Sequence, residues 1–171
     1  MDLVGHRLAT AFVRRGGREH DVDVAAVESL AQDLGPRDAI ILFPEGTRFT
    51  AAKRARILDR LAAKDEAAFA RAARLKNLLP PHAGGALAIV DRARDADVVF
   101  CAHTGLEGAS RLRELRAGSL IGATVRVRYW RVPAKDVPAG AADRIEWLWL
   151  WWERLDEWIE SHRAGPDATG P

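Results

Sequence analysis

The 171-residue sequence predicts an α/β fold, and three observations carry that reading. A short apolar run, Ile40-Ile41-Leu42-Phe43, stops abruptly at Pro44, as a buried strand bounded by turn formers does. An amphipathic helical stretch, Asp23 to Leu34, precedes it, and a long Ala-, Arg- and Leu-rich helical stretch follows it. Helix, tight turn, strand and polar loop in succession make an α/β unit.

The first elements are short. Leu3 to Val13 reads as a short helix leading to a strand near Ala11-Phe12-Val13, closed by the basic turn Arg14-Arg15-Gly16-Gly17. In the helix from Asp23, Val24, Val27, Ala31 and Leu34 share one face, opposite Glu28 and Gln32. Asp21 or Asp23 can cap its start. Gly35-Pro36 ends it. A strand over Ala39 to Phe43 comes next.

Phe49 to Leu78 then reads as one long helix, with Leu58, Leu61, Phe69, Ala72 and Leu75 as its apolar positions. Asn77-Leu78-Leu79-Pro80-Pro81 breaks it. Ala86 to Asp91 is a short helix. Asp97 to Ala102 is a buried strand that takes Cys101 with it as a small apolar residue. Leu106 to Leu120 is a basic turn-and-helix stretch. Ala123 to Val132 alternates Val125, Val127 and Tyr129 against Arg126, Arg128 and Arg131, the pattern of a half-buried strand with a basic outer face.

The closing helix, Asp143 to His162, repeats Ile145, Leu148, Trp152, Leu155 and Ile159 at helical spacing, and these should face the core. Trp147, Trp151 and Trp158 lie on a neighbouring flank. Glu146, Glu153, Asp156, Glu157 and Glu160 make up the polar face. So wide an apolar face suits the core, another subunit or a lipid interface, where Trp favours the headgroup level. The acidic face opposes anionic lipid, so core plus a partner is the expectation, with an oligomer through this helix as one form. One domain over residues 1–163 and a frayed tail over 164–171 complete the organisation.

Composition excludes some classes. A net charge of +2 and the lack of an aromatic stacking pattern on a basic strand argue against nucleic acid. A single cysteine precludes an intrachain disulfide and suits a reducing compartment. Met1-Asp2-Leu3-Val4-Gly5-His6 lacks the basic start and apolar run of a secretory leader, and no long uncharged apolar window is present. The expectation is a cytoplasmic protein, with peripheral attachment to the inner membrane face left open.

The chemistry concentrates after the predicted strand at Ala39 to Phe43. Pro44 ends or bends it, and Gly46 permits a tight turn or a close ligand approach. Thr47 offers a hydroxyl and Arg48 a planar fork of donors suited to phosphate or carboxylate. Glu45 can pin that fork. Polar groups at the carboxyl end of a strand are where α/β proteins usually bind ligands. A surface ion pair is the plainer alternative.

The string Phe43-Pro44-Glu45-Gly46-Thr47-Arg48 resembles the signature of the glycerolipid acyltransferases, the 1-acylglycerol-3-phosphate acyltransferase family. In that family the block closes over the phosphate of the glycerol phosphate acceptor. Two looser blocks accompany it. Gly5 with Phe12-Val13-Arg14-Arg15 resembles a second family block and places Arg15 on an arginine used near the phosphate; a solvated basic loop explains it equally. Leu79-Pro80-Pro81-His82-Ala83-Gly84-Gly85 resembles a Leu-Pro-Pro-Arg segment that opens a helix, with His82 in place of the arginine. Its glycines would offer backbone donors to an anion.

The resemblance implies a mixed sheet flanked by helices and an acyl transfer from acyl coenzyme A or an acyl carrier to a lysophosphatidic acid or glycerol phosphate acceptor. It implies a phosphate site at Glu45, Gly46, Thr47, Arg48 and Arg15, no metal, and no cofactor beyond the acyl donor. The family uses a His with an Asp five positions later as base and orienter. His6, His20, His82 and His103 are followed at that spacing by Ala11, Ala25, Leu87 and Gly108. His162 has Asp167, but behind every other block. No catalytic residue is therefore assigned. The similarity runs over roughly residues 5 to 132. It implies the family domain without its N-terminal strand, helix and catalytic loop: either the protein begins upstream of Met1, or this form keeps the acceptor pocket without the base and binds a lipid phosphate or a partner.

Overall fold

The computed structural model describes residue 31 and residues 34–106 and 121–163. The predicted strand at Ala11-Phe12-Val13, the turn carrying Arg15, all but the end of the Asp23 helix, most of the Leu106 stretch and the tail lie outside the described residues. What is described is broadly α/β: helices and a two-stranded antiparallel sheet.

Helix α1 spans Ala51–Ala62. Thr50 caps it in an extended conformation, its hydroxyl accepting the Lys53 N–H at 3.2 Å. Helix α2 spans Glu66–Ala72. The single helix expected from Phe49 to Leu78 is thus interrupted, and the cause is Asp65. Its carboxylate accepts the Ala68 N–H at 2.9 Å and starts a new helix, in competition with continuing the old one. Helix α3, Ala83–Arg92, starts directly after Pro80-Pro81, one turn earlier than the sequence suggests.

Strand β1, Val98–Thr104, pairs antiparallel with β2, Arg126–Val132, in the register Val98↔Val132 to Thr104↔Arg126. Phe100, Ala102 and Thr104 are buried, while Val99, Cys101 and His103 are exposed. Two expectations are corrected here. Cys101 is exposed rather than buried, because among the described residues the helix Ala141–His162 covers the opposite face of β1. On β2 the faces are reversed: Val127 and Tyr129 are exposed, and Trp130 and Val132 turn inward. Trp130 sets this parity. Its ring meets Trp151 at 6.4 Å and Trp158 at 5.8 Å, edge to face, and burying the larger ring outweighs burying Val127 and Tyr129.

A short 3₁₀ turn, Ala134–Asp136, leads to helix α4, Ala141–His162. Leu148, Trp152 and Leu155 are buried as the spacing predicts. Ile145 is instead 42% exposed, and Arg144 and Asp156 are buried. Arg144 reaches Asp91 on α3 at 2.8 Å. The flanking tryptophans cover the sheet: Phe100 stacks on Trp151 at 4.6 Å and meets Trp147 edge-on at 5.3 Å. Leu75, Phe100, Ala102, Val132, Leu148, Trp152 and Leu155 form the core. No helix among the described residues is long and apolar enough to cross a membrane.

The strand expected at Ala39 to Phe43 is not formed: these residues have no regular structure. Ile41 is 81% and Phe43 78% exposed. A strand needs a laddered neighbour, and β1 and β2 ladder only with each other among the described residues.

Candidate functional site

The segment Phe43–Thr50 is a compact turn clipped from one side. The Gly46 N–H donates to the Phe43 carbonyl at 2.8 Å, and Gly46 sits at φ +61°, in the left-handed region. Lys53, one turn into α1, reaches back over the loop. Its ammonium donates to Thr47 Oγ1 at 2.6 Å and to the Arg48 carbonyl at 3.1 Å. An ammonium has three N–H donors, so one is left for a ligand. Arg48 itself is exposed. The Lys53 ammonium is thereby fixed against the loop, five residues along the chain from the exposed Arg48. Sequence reading left Lys53 inside the long helical stretch after Phe49 without singling it out. The cap at Thr50, which aims α1 at the loop, was the available signal.

The second block meets the first. The His82 N–H donates to the Pro44 carbonyl at 2.9 Å, and the Leu79 N–H donates to Glu45 Oε2 at 3.0 Å. A Cβ built on Gly46 would lie 3.7 Å from the His82 ring. Glu45 thus holds the Leu79 backbone with one oxygen. Burial pushes its carboxyl above the ordinary range; the Leu79 N–H opposes the rise and the charge of Asp156 adds to it. The start of α3 follows His82, which gives no side-chain cap, and the first turn carries no acidic residue. Its N–H groups and dipole favour an anion.

Behind this junction, Lys76–Leu79 is fastened to α4. Asp156 accepts the backbone N–H of Lys76 at 2.9 Å, Asn77 at 2.7 Å and Leu78 at 2.9 Å. Trp152 Nε1 donates to the Leu79 carbonyl at 2.8 Å. From the other side, the Arg54 guanidinium donates to the carbonyls of Ala73 and Leu75, both at 2.8 Å. Asp156, expected on the polar face, is therefore buried. Its spacing four residues after the buried Trp152 was the sign of this.

The structure joins Pro44 and Glu45 to the 79–82 segment and sets Gly46 beside the His82 ring, while Thr47 and the Arg48 carbonyl are held by Lys53. Arg15 lies outside the described residues, as do His6, His20 and Asp167. His103 is exposed on the open side of β1. His162 stacks on Trp158 at 4.6 Å. A groove of about 380 Å³ lies between Arg74, Lys76 and the acidic side of α4 at Glu153, Glu157 and Glu160. Its carboxylates suit an anionic ligand poorly, and it includes no residue of the 44–48 loop. Among the described residues no three His, Cys, Asp or Glu side chains converge as metal ligands. No family model matches the chain, and no curated protein or solved structure is detectably similar to it.

Proposed function

We propose that residues 44–48, with Lys53 and the start of α3, hold the phosphate of a glycerol-phosphate lipid acceptor, and that the chain serves an acyl transfer like that of the 1-acylglycerol-3-phosphate acyltransferases. One observation carries the reading. Two sequence blocks that resemble the same family, 34 residues apart at Glu45 and Leu79, are hydrogen-bonded into one site. Arg48 and Lys53 supply charge, Thr47 a hydroxyl, and Gly46 a backbone open to close approach. Arg15 and the family's mixed sheet belong to the same proposal.

In the reaction, the acceptor hydroxyl attacks the thioester carbonyl of acyl coenzyme A or an acyl carrier. The new C–O bond replaces C–S, and the hydroxyl proton leaves with the thiolate as a thiol. A base must take that proton first. His82 is the one described histidine beside the loop, and Leu87 stands where the family has an Asp. This favours, as a second reading, a protein that binds the lipid phosphate without transferring the acyl group. The proposed setting is the cytoplasm, with peripheral contact at the inner membrane face as the variant that a lipid acceptor would favour.

The test is paired. Calorimetry with lysophosphatidic acid measures binding, and thiol release from acyl coenzyme A measures transfer. Arg48→Ala should weaken acceptor binding about tenfold or more. Binding with transfer supports the enzyme, binding alone the second reading, and an unchanged affinity in Arg48→Ala removes both.

A further inference from the structure

We infer that Asp156 and Trp152 on α4 are positioning residues for the 44–48 loop, so that the C-terminal helix sets the ligand affinity of a loop far upstream. The inference rests on the reading of that loop as a phosphate site. The two side chains act through Lys76–Leu79, which is 80 residues from Asp156 at its first bond.

Three consecutive peptide N–H groups converge on one carboxylate that is 6% exposed. Rotating any of those peptides would leave a buried charge short of a donor, so the turn has one low-energy shape. Trp152 then fixes the next carbonyl, that of Leu79, from the same helix. With its carbonyl held behind, the Leu79 N–H is aimed at Glu45. Three residues on, the His82 N–H closes on Pro44. The local bonds of the loop, from Gly46 to Phe43 and from Lys53 to Thr47, set its shape. The bonds of Glu45 and Pro44 to the 79–82 segment set where it sits against the start of α3. Asp156 also adds its field to Glu45, which places both carboxylates about the same segment.

The experiment titrates glycerol 3-phosphate by calorimetry into the full chain and into Asp156→Asn, Glu45→Gln and the double variant. Asn cannot accept all three protons, because its amide nitrogen faces an N–H. Leu155→Ala is the control: it is the neighbouring buried residue on α4 and removes core volume without cutting the chain of bonds. Each single variant should weaken binding about tenfold, and the double variant no further, because both cut one path. Leu155→Ala, measured well below its Tm, should bind as the parent does. Full affinity in Asp156→Asn, additive losses in the double variant, or an equal loss in Leu155→Ala each overturn the positioning role.

If the parent chain does not bind glycerol 3-phosphate, the phosphate reading fails by itself. Positioning is then decided by amide exchange, with faster exchange at Leu79 and His82 in Asp156→Asn expected and unchanged protection overturning it. Should Asp156→Asn not fold, Trp152→Phe keeps most of the ring and loses the Nε1–H, and the same criteria apply.

Discussion

Ala39–Phe43 and Val98–Ala102 read almost alike as sequence: short, apolar, and followed within a few residues by a glycine. Yet one is irregular with Ile41 and Phe43 exposed, while the other is a strand with Phe100 and Ala102 buried. Apolarity is common to both, so it does not decide. What β1 has is a laddered partner in β2 and a helix carrying Trp147 and Trp151 across one face. A strand is a property of a pair and its cover, and a single run specifies neither.

Equal truncations should break or sharpen this contrast most directly. Phe100→Ala should cost about 3–5 kcal/mol in denaturant unfolding, through lost burial and a cavity under the tryptophans. Phe43→Ala should stay within about 0.5 kcal/mol. An equal cost at Phe43 would mean that both runs are covered in solution, and the contrast would collapse.

The glycines that close the two stretches give a second, smaller comparison. Both have positive φ, +90° at Gly105 and +61° at Gly46. A Cβ at Gly105 would collide with the Thr124 carbonyl, whereas one at Gly46 meets only the His82 ring at contact distance. Gly46→Ala should cost about 1–2 kcal/mol from the left-handed backbone alone. Gly105→Ala should cost more, since backbone must move as well. Thermal unfolding of the two variants ranks them, and the reverse order would show that the 104–105 turn yields easily.

Amide exchange separates the stretches without mutation. Laddered N–H groups of β1 should exchange far more slowly than those of residues 39–43. Similar protection in both would reveal a ladder partner for the earlier run.

The smallest effect expected is in pH. Asp97, just before β1, is held below its ordinary range by the Ala134 N–H first and by Arg131 next. Its favourable contribution is present above the unfolded value of 3.8 and fades as pH falls through the lower folded value. Glu45 runs the other way. Burial raises its folded pKa, so its ionisation works against folding, and stability falls as pH rises from the unfolded value of 4.5 through the raised one. Glu45→Gln should remove the falling slope and Asp97→Asn the rising one. Matching slopes in unfolding series of the two variants would contradict the assignments.

Legibility in the sequence followed the same division. Leu148, Trp152 and Leu155 were readable because one helix face repeats them, and helical spacing needs no partner to be visible. The parity of β2 was not, because it depends on Trp130 meeting tryptophans of α4. The break at Asp65 was missed because a capping side chain competes with a good helical pattern. At the candidate site, Glu45 to Arg48 and the His82 block could each be singled out alone. Their junction could not, since it runs through Leu79 and through Asp156, a carboxylate that looked solvated until its three amide partners were in place.

Cys101 is the sole thiol, exposed and directly across the ladder from Tyr129. Its place on a paired strand rather than a loose loop makes it a clean attachment point for a spectroscopic label. A nitroxide or fluorophore there would report on the side of the sheet that carries Cys101 and Tyr129, opposite the Trp147 and Trp151 rings that pack on Phe100. One molecule thus carries two independent optical windows, one on each face of the same two-stranded sheet.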